Sequence, residues 1–224
     1  MFRTKISITL APTHSIGYFR CGSRRRIMGN RSVVVALLSF LVCTAALAHP
    51  GLVVVDPGHG GHDRGGAPGQ RIPEKGYTLD TAMRLARNLR RLGVKAVLTR
   101  GDDMFVSLSE RTNISNQYSS RDAIFVSIHY NSGWREGAYG IETYYNSRRA
   151  YRLAALVHPR VIEAMNSADR GIRSRGYWVL RRNRLPAILV ECGFLTNHAE
   201  AARIQDPDYR ERTARAIAGA VLRY

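Results

Sequence analysis

Cysteine is scarce in the 224-residue chain: of Cys21, Cys43 and Cys192, only the last lies beyond residue 48. A lone cysteine forms no internal disulfide, so residues 49–224 must rely on their hydrophobic core. Lysine is nearly absent, with Lys5, Lys75 and Lys95 set against 31 arginines. Acidic residues are also few, 17 against 34 basic ones. Seven of the basic residues and none of the acidic ones precede residue 49, which leaves residues 49–224 with a net charge of +10. Such charge draws a protein toward polyanions. No recognised nucleic-acid module accompanies it, so nucleic acid is not an expected partner. There is no internal repeat and no low-complexity linker. No apolar run reaches the roughly 20 residues needed to span a bilayer.

What is present begins with the longest apolar run, residues 33–48. It carries no charge, follows Arg24, Arg25, Arg26 and Arg31, and ends in Ala46-Leu47-Ala48. A basic stretch, an apolar stretch and a small-residue exit together read as a secretory signal peptide. Residues 1–48 are therefore expected to be an export signal, with Met28 as an alternative start. The string Ser23-Arg24-Arg25-Arg26-Ile27-Met28 resembles a twin-arginine signal. Export by the Sec or the twin-arginine route to the periplasm or the extracellular space follows. After cleavage the protein is not an integral membrane protein. Leu41-Val42 before Cys43 is a poor lipoprotein box, so lipidation is not expected. Residues 49–224 suffice for one domain with a proper core.

The apolar runs at 52–55, 94–99, 123–129 and 187–191 read as buried strands, and 140–145 and 177–180 as further strands. Between them, Leu79, Ala82, Met83, Ala86, Leu89 and Leu92 keep helical spacing, and Gly93 stops the helix. Ser107-Leu108-Ser109-Glu110 is a capping box opening a helix to about Ser119. A further helix is expected over 148–166. Asp206-Pro207 caps and starts the last one. Alternating strands and helices predict an α/β fold, a mixed, largely parallel sheet flanked by helices, in a single catalytic domain.

Four polar residues fall at element ends: His59, Glu74, His129 and Glu191. In open α/β sheets the carboxyl ends of the strands line one crevice, where ligands bind. Two neutral imidazoles and one carboxylate make a three-ligand zinc set with an open position. A second carboxylate off the metal can move a proton to a leaving amine. On placement alone this is a candidate ligand cluster, and chance remains an open alternative.

The strings Val-Val-Val-Asp-Pro-Gly-His-Gly-Gly (53–61), Glu-Lys (74–75), Leu-Thr-Arg (98–100), Ser-Leu-Ser-Glu-Arg (107–111), Phe-Val-Ser-Ile-His-Tyr-Asn (125–131), Gly-Ile-Glu-Thr-Tyr-Tyr (140–145) and Ile-Leu-Val-Glu-Cys-Gly-Phe-Leu-Thr-Asn (188–197) narrow the reading. Together they resemble the zinc-dependent amidase-3 family of N-acetylmuramoyl-L-alanine amidases, in order, from about Leu52 to Tyr224. The resemblance implies zinc held by His59, Glu74 and His129, with Glu191 as catalytic acid/base. It implies hydrolysis of the amide between N-acetylmuramic acid and L-alanine, with peptidoglycan as the partner. Tyr130 and Cys192 depart from the family's usual residues without removing a ligand. The short link after 145 leaves no room for the long inserted helix that plugs some relatives, so an open site needing no activator is expected.

Around this set, Asn131, Tyr130 and Arg100 are expected to contact substrate, Tyr130 by narrowing or stacking along the groove. Asp56 and Asn131 either orient the imidazoles or cap turns. Arg100 and Arg111 either meet stem-peptide carboxylates or form structural ion pairs. His62 is expected to be solvated or to support the ligands, His158 and His198 to be surface residues, and Cys192 to be a buried small hydrophobe. Two other functions remain in competition: a zinc peptidase cutting within stem peptides, and a non-catalytic peptidoglycan-binding module.

Overall fold

The computed structural model describes residues 49–67, 70–119, 122–134 and 137–224. The expected export signal at 1–48 lies outside the described residues. Among the described residues, no helix is long and apolar enough to cross a membrane.

Twelve elements form among the described residues: β1 (Leu52–Pro57), α1 (Lys75–Arg91), β2 (Lys95–Leu98), α2 (Leu108–Asn116), β3 (Ala123–Asn131), β4 (Ile141–Tyr145), α3 (Arg148–Met165), β5 (Asp169–Ser174), α4 (Trp178–Arg181), β6 (Ala187–Phe194), α5 (His198–Gln205) and α6 (Pro207–Val221). The strands build one sheet in the order β2-β1-β3-β6-β4-β5. β2, β1, β3 and β6 pair in parallel, β4 pairs antiparallel with β6, and β5 runs parallel to β4.

Strand side chains alternate between two faces. On one face, Val53, Val55, Ile124, Val126, Ile128, Tyr130, Ile188, Val190 and Cys192 pack in one core with residues of α1, α3 and α6. On the other, Leu52, Val54, Phe125, Tyr144 and Leu189 meet Val179 and Leu180 of α4. Burying each large aliphatic side chain is worth about 1.5–3 kcal/mol, so both faces hold the sheet between its helices. Odd positions of β3 near its end, Ser127, His129 and Asn131, therefore share the second face with Leu189 and Glu191.

Two elements differ from the sequence reading. Residues 177–180 were expected as a strand, but Trp178–Arg181 is one helical turn. Its aromatic and β-branched composition suits a strand, yet Val179 and Leu180 are buried in the second core, and a single turn is enough to seat both there. β5 was not anticipated, because its sequence, Asp-Arg-Gly-Ile-Arg-Ser, has no apolar run. It survives as an edge strand with only one neighbour. The expected capping box on α2 is present, with both Ser107 and Glu110 bonds formed.

Candidate metal centre and its cleft

His59 stands two residues beyond β1 with a φ of 60°, an uncommon conformation for a residue with a Cβ. Two buried arginines hold this turn. Arg100 donates to the carbonyl oxygens of Pro57 (3.1 Å) and Gly58 (2.7 Å), and also to those of Asp102 and Lys75. Arg111 donates to the His59 carbonyl (2.7 Å) and pairs with buried Asp56 (2.8 Å). Asp56 further accepts from Thr99 and Ser127. The Arg111–Asp56 pair is thus structural, and Asp56 neither touches the imidazoles nor caps a turn. Arg100 is only 2% exposed and its donors are spent on backbone carbonyls and the Thr78 hydroxyl, so the expected substrate contact is corrected: it is a tie beneath the loop.

Glu74 sits at the N-cap of α1 but makes no side-chain cap. Its carboxylate turns instead to the two histidines. Oε2 lies 3.1 Å from His59 Nε2, and Oε1 lies 2.9 Å from His129 Nδ1. The backbone amide of Tyr130 donates to Oε1 at 2.9 Å. His59 Nδ1 lies 2.8 Å from Asp63 Oδ2, and we assign the ring proton to that nitrogen. This leaves the Nε2 lone pair facing Glu74. One ligand atom each from His59, Glu74 and His129 lie within 4.8 Å of one another. Several electron-pair donors directed at one point fit a cation, and this nitrogen and oxygen set is one that zinc accepts.

The carboxylate and the imidazoles also act on one another's charge. Burial opposes charge on Glu74, but its two histidines outweigh it and lower its carboxyl to about 2. Burial likewise opposes charge on His59, while Glu74 and Asp63 raise its imidazole. The loop glycines allow the close approach. A Cβ at Gly58 would strike the His129 ring, and one at Gly65 would lie 2.8 Å from Glu74 Oε2.

Glu191 is directly opposite His129 in the β3–β6 register. Its Oε2 is buried and, among the described residues, has no hydrogen-bond partner. Burial, then the charges of Glu74 and Glu142, push its carboxyl well above the usual carboxylate range. Glu142 faces Glu191 across the antiparallel β4–β6 pair. It is saturated by Arg170, Asn131 and the Tyr144 hydroxyl. His59, Glu74, His129, Asn131 and Glu191 all line a cleft of about 470 Å³, walled by Phe105, Trp134, Tyr177 and Trp178.

Among the expected contact residues, Asn131 faces the cleft, its amide donating to Glu142 at 2.9 Å. Tyr130 does not. Next to His129 on a strand, it must point to the opposite face, where it is 1% exposed and its hydroxyl lies 2.7 Å from Thr81 Oγ1. The groove role expected for its side chain is corrected on that ground. His158 is also not a surface residue: it is buried between Thr143 and Asp169, each 2.9 Å away. His62 is exposed and packs on Phe105, and His198 is exposed. Cys192 is fully buried, as expected. Two participants carried no signal of their own. Asp63 follows His59 by four residues on a glycine-rich loop, and Glu142 lies within a quoted motif but meets Glu191 only through strand pairing.

Comparison with known proteins follows the same lines. Residues 53–223 match the Amidase_3 family, described as N-acetylmuramoyl-L-alanine amidase. The chain is 34% identical over 176 residues to the N-acetylmuramoyl-L-alanine amidase LytC of Bacillus subtilis (strain 168), covering 77% of this chain and 35% of LytC. It thus spans about a third of that relative's length. Its fold superposes on the N-acetylmuramoyl-L-alanine amidase AmiC2 of Nostoc punctiforme with a TM-score of 0.72 and 40% identity, covering 77% of this chain and 96% of that one. It superposes on the N-acetylmuramoyl-L-alanine amidase of Clostridium difficile 630 with a TM-score of 0.73 and 36% identity, covering 79% and 97%. With the family matched across 53–223, the chain belongs to the N-acetylmuramoyl-L-alanine amidase family Amidase_3.

Proposed function

We propose that this chain hydrolyses the amide between N-acetylmuramic acid and L-alanine in peptidoglycan, with zinc held by His59, Glu74 and His129. The observation that carries the reading is Glu191, whose buried Oε2 has no hydrogen-bond partner among the described residues and which stands in register with His129 beside a three-ligand cluster. Zinc, when bound there, supplies Lewis acidity that acidifies water and stabilises charge on a carbonyl oxygen. The remaining work falls to the chain. Asp63 fixes the His59 tautomer, and the Tyr130 amide and both histidines hold Glu74. Glu191 takes the proton from the attacking water and hands it to the departing alanine nitrogen.

Glu191→Gln is expected to retain stoichiometric zinc while kcat falls by at least about 10³. Metal analysis beside mass spectrometry of products from purified sacculi reads both. Released peptides beginning with L-alanine support the amidase. Fragments cut within the stem instead support a peptidase, and binding with no chelator-sensitive release supports a docking module. The basic and apolar stretches within residues 1–48 support action in the envelope, with 49–224 as the catalytic domain. Only Asn146 and Ser147 separate β4 from α3, which supports a site that works without an activator.

A further inference from the structure

Residues 170–190 contain six arginines and no acidic residue. Of these, Arg170 pairs with Glu142. Arg175, Arg181, Arg182 and Arg184 are exposed, and no acidic side chain among the described residues pairs with them. Arginines elsewhere on the surface, such as Arg84, Arg203 and Arg215, do hold acidic partners. Other exposed arginines, among them Arg90, Arg91, Arg148 and Arg212, also have no acidic partner among the described residues, and what marks this group is its place. It flanks α4, whose first residue Trp178 and its neighbour Tyr177 form one wall of the cleft.

The arginines are also seated. The Arg181 and Arg182 guanidinium carbons lie 5.5 Å and 5.0 Å from the centre of the Trp178 ring. Stacking of this kind holds a guanidinium's plane while leaving its donors free. A planar fork of free donors is matched to carboxylates. The wall therefore offers an aromatic face to the cleft, with two guanidinium forks stacked against it.

We propose that this α4 wall is a specificity determinant, recognising free carboxylates on the peptide side of the scissile amide. The proposal rests on the amidase reading for the identity of the substrate. Peptides attached through their amino end carry at least a terminal carboxylate, which such forks can bind. Recognition of this kind adds binding energy and leaves the reacting groups alone, so it belongs in KM rather than kcat.

The test uses two soluble muramoyl-peptides of the same sequence, one with free peptide carboxylates and one with every carboxylate amidated. The unmodified enzyme is expected to favour the free acid by about tenfold in kcat/KM. In the Arg181→Gln/Arg182→Gln double variant the ratio falls to about one, with the change in KM. An unchanged ratio overturns the proposal. So does an equal loss on both substrates, which marks the arginines as merely structural. If neither peptide is cleaved by the unmodified enzyme, the amidase reading fails. Calorimetric binding of the same two peptides to Glu191→Gln then still reads the carboxylate preference, and equal affinities overturn it.

Discussion

At the scale of single residues, the site is built from side chains whose neighbours restrict them to one arrangement. Asp63 shows this most directly, since its bond to His59 sets which ring nitrogen is free. Asp63→Asn is expected to weaken zinc binding by about tenfold to a hundredfold with the fold intact. Competition against a chromophoric chelator measures it, and native affinity would contradict the assigned tautomer. Tyr130 makes the opposite case. Its hydroxyl meets only Thr81 in the core. Tyr130→Phe is expected to cost about 1–2 kcal/mol of stability by leaving Thr81 unsatisfied. Turnover should stay within about twofold, because nothing of the side chain reaches the cleft. Chemical denaturation paired with initial rates distinguishes the two effects, and a large loss of rate would return Tyr130 to the groove.

At the scale of elements, α1 and α6 are tied by Glu211, which accepts from Asn88, Arg84 and Arg215. The Asn88 bond first, then Arg215 and Arg84, lower its carboxyl to about 2. A carboxyl depressed in the folded state stabilises above its unfolded value, near 4.5, and that contribution fades as pH falls toward 2. Glu211→Gln is therefore expected to lose about 1 kcal/mol at neutral pH. Its urea curve should converge on that of the unmodified protein only below about pH 2. A gap that persists there would assign the effect to packing. Element scale also explains what the sequence disclosed. Buried strands such as β1 and β3 announce themselves by apolar runs, and α2 by its capping box. The candidate ligands were legible because each stands at or near the end of such an element inside a recognisable string. β5 was hidden because an edge strand of arginines has no pattern, and α4 because its residues favour strands on composition. Glu142 was unassignable because its meeting with Glu191 depends on an antiparallel pairing that chain order does not specify. Tyr130, by contrast, could have been placed from its position beside His129, since adjacent strand residues face opposite ways.

At the scale of the whole molecule, the fold brings donors from a loop, a helix end and a strand to one point. A ligand that binds only this folded arrangement stabilises it by mass action. At zinc concentrations about a hundred times the dissociation constant, the melting temperature is expected to rise by about 5–10 °C over chelated protein. Differential scanning calorimetry with and without chelator reads this, and no shift would argue against a metal centre. The residue that joins these scales is Glu74. It occupies the capping position of α1 yet spends its carboxylate on the histidines. The helix thereby surrenders a local fastening to the site, and the cleft and the first helical turn share one anchor. Filling the site should slow amide hydrogen exchange in that turn, so the backbone itself becomes a gauge of occupancy.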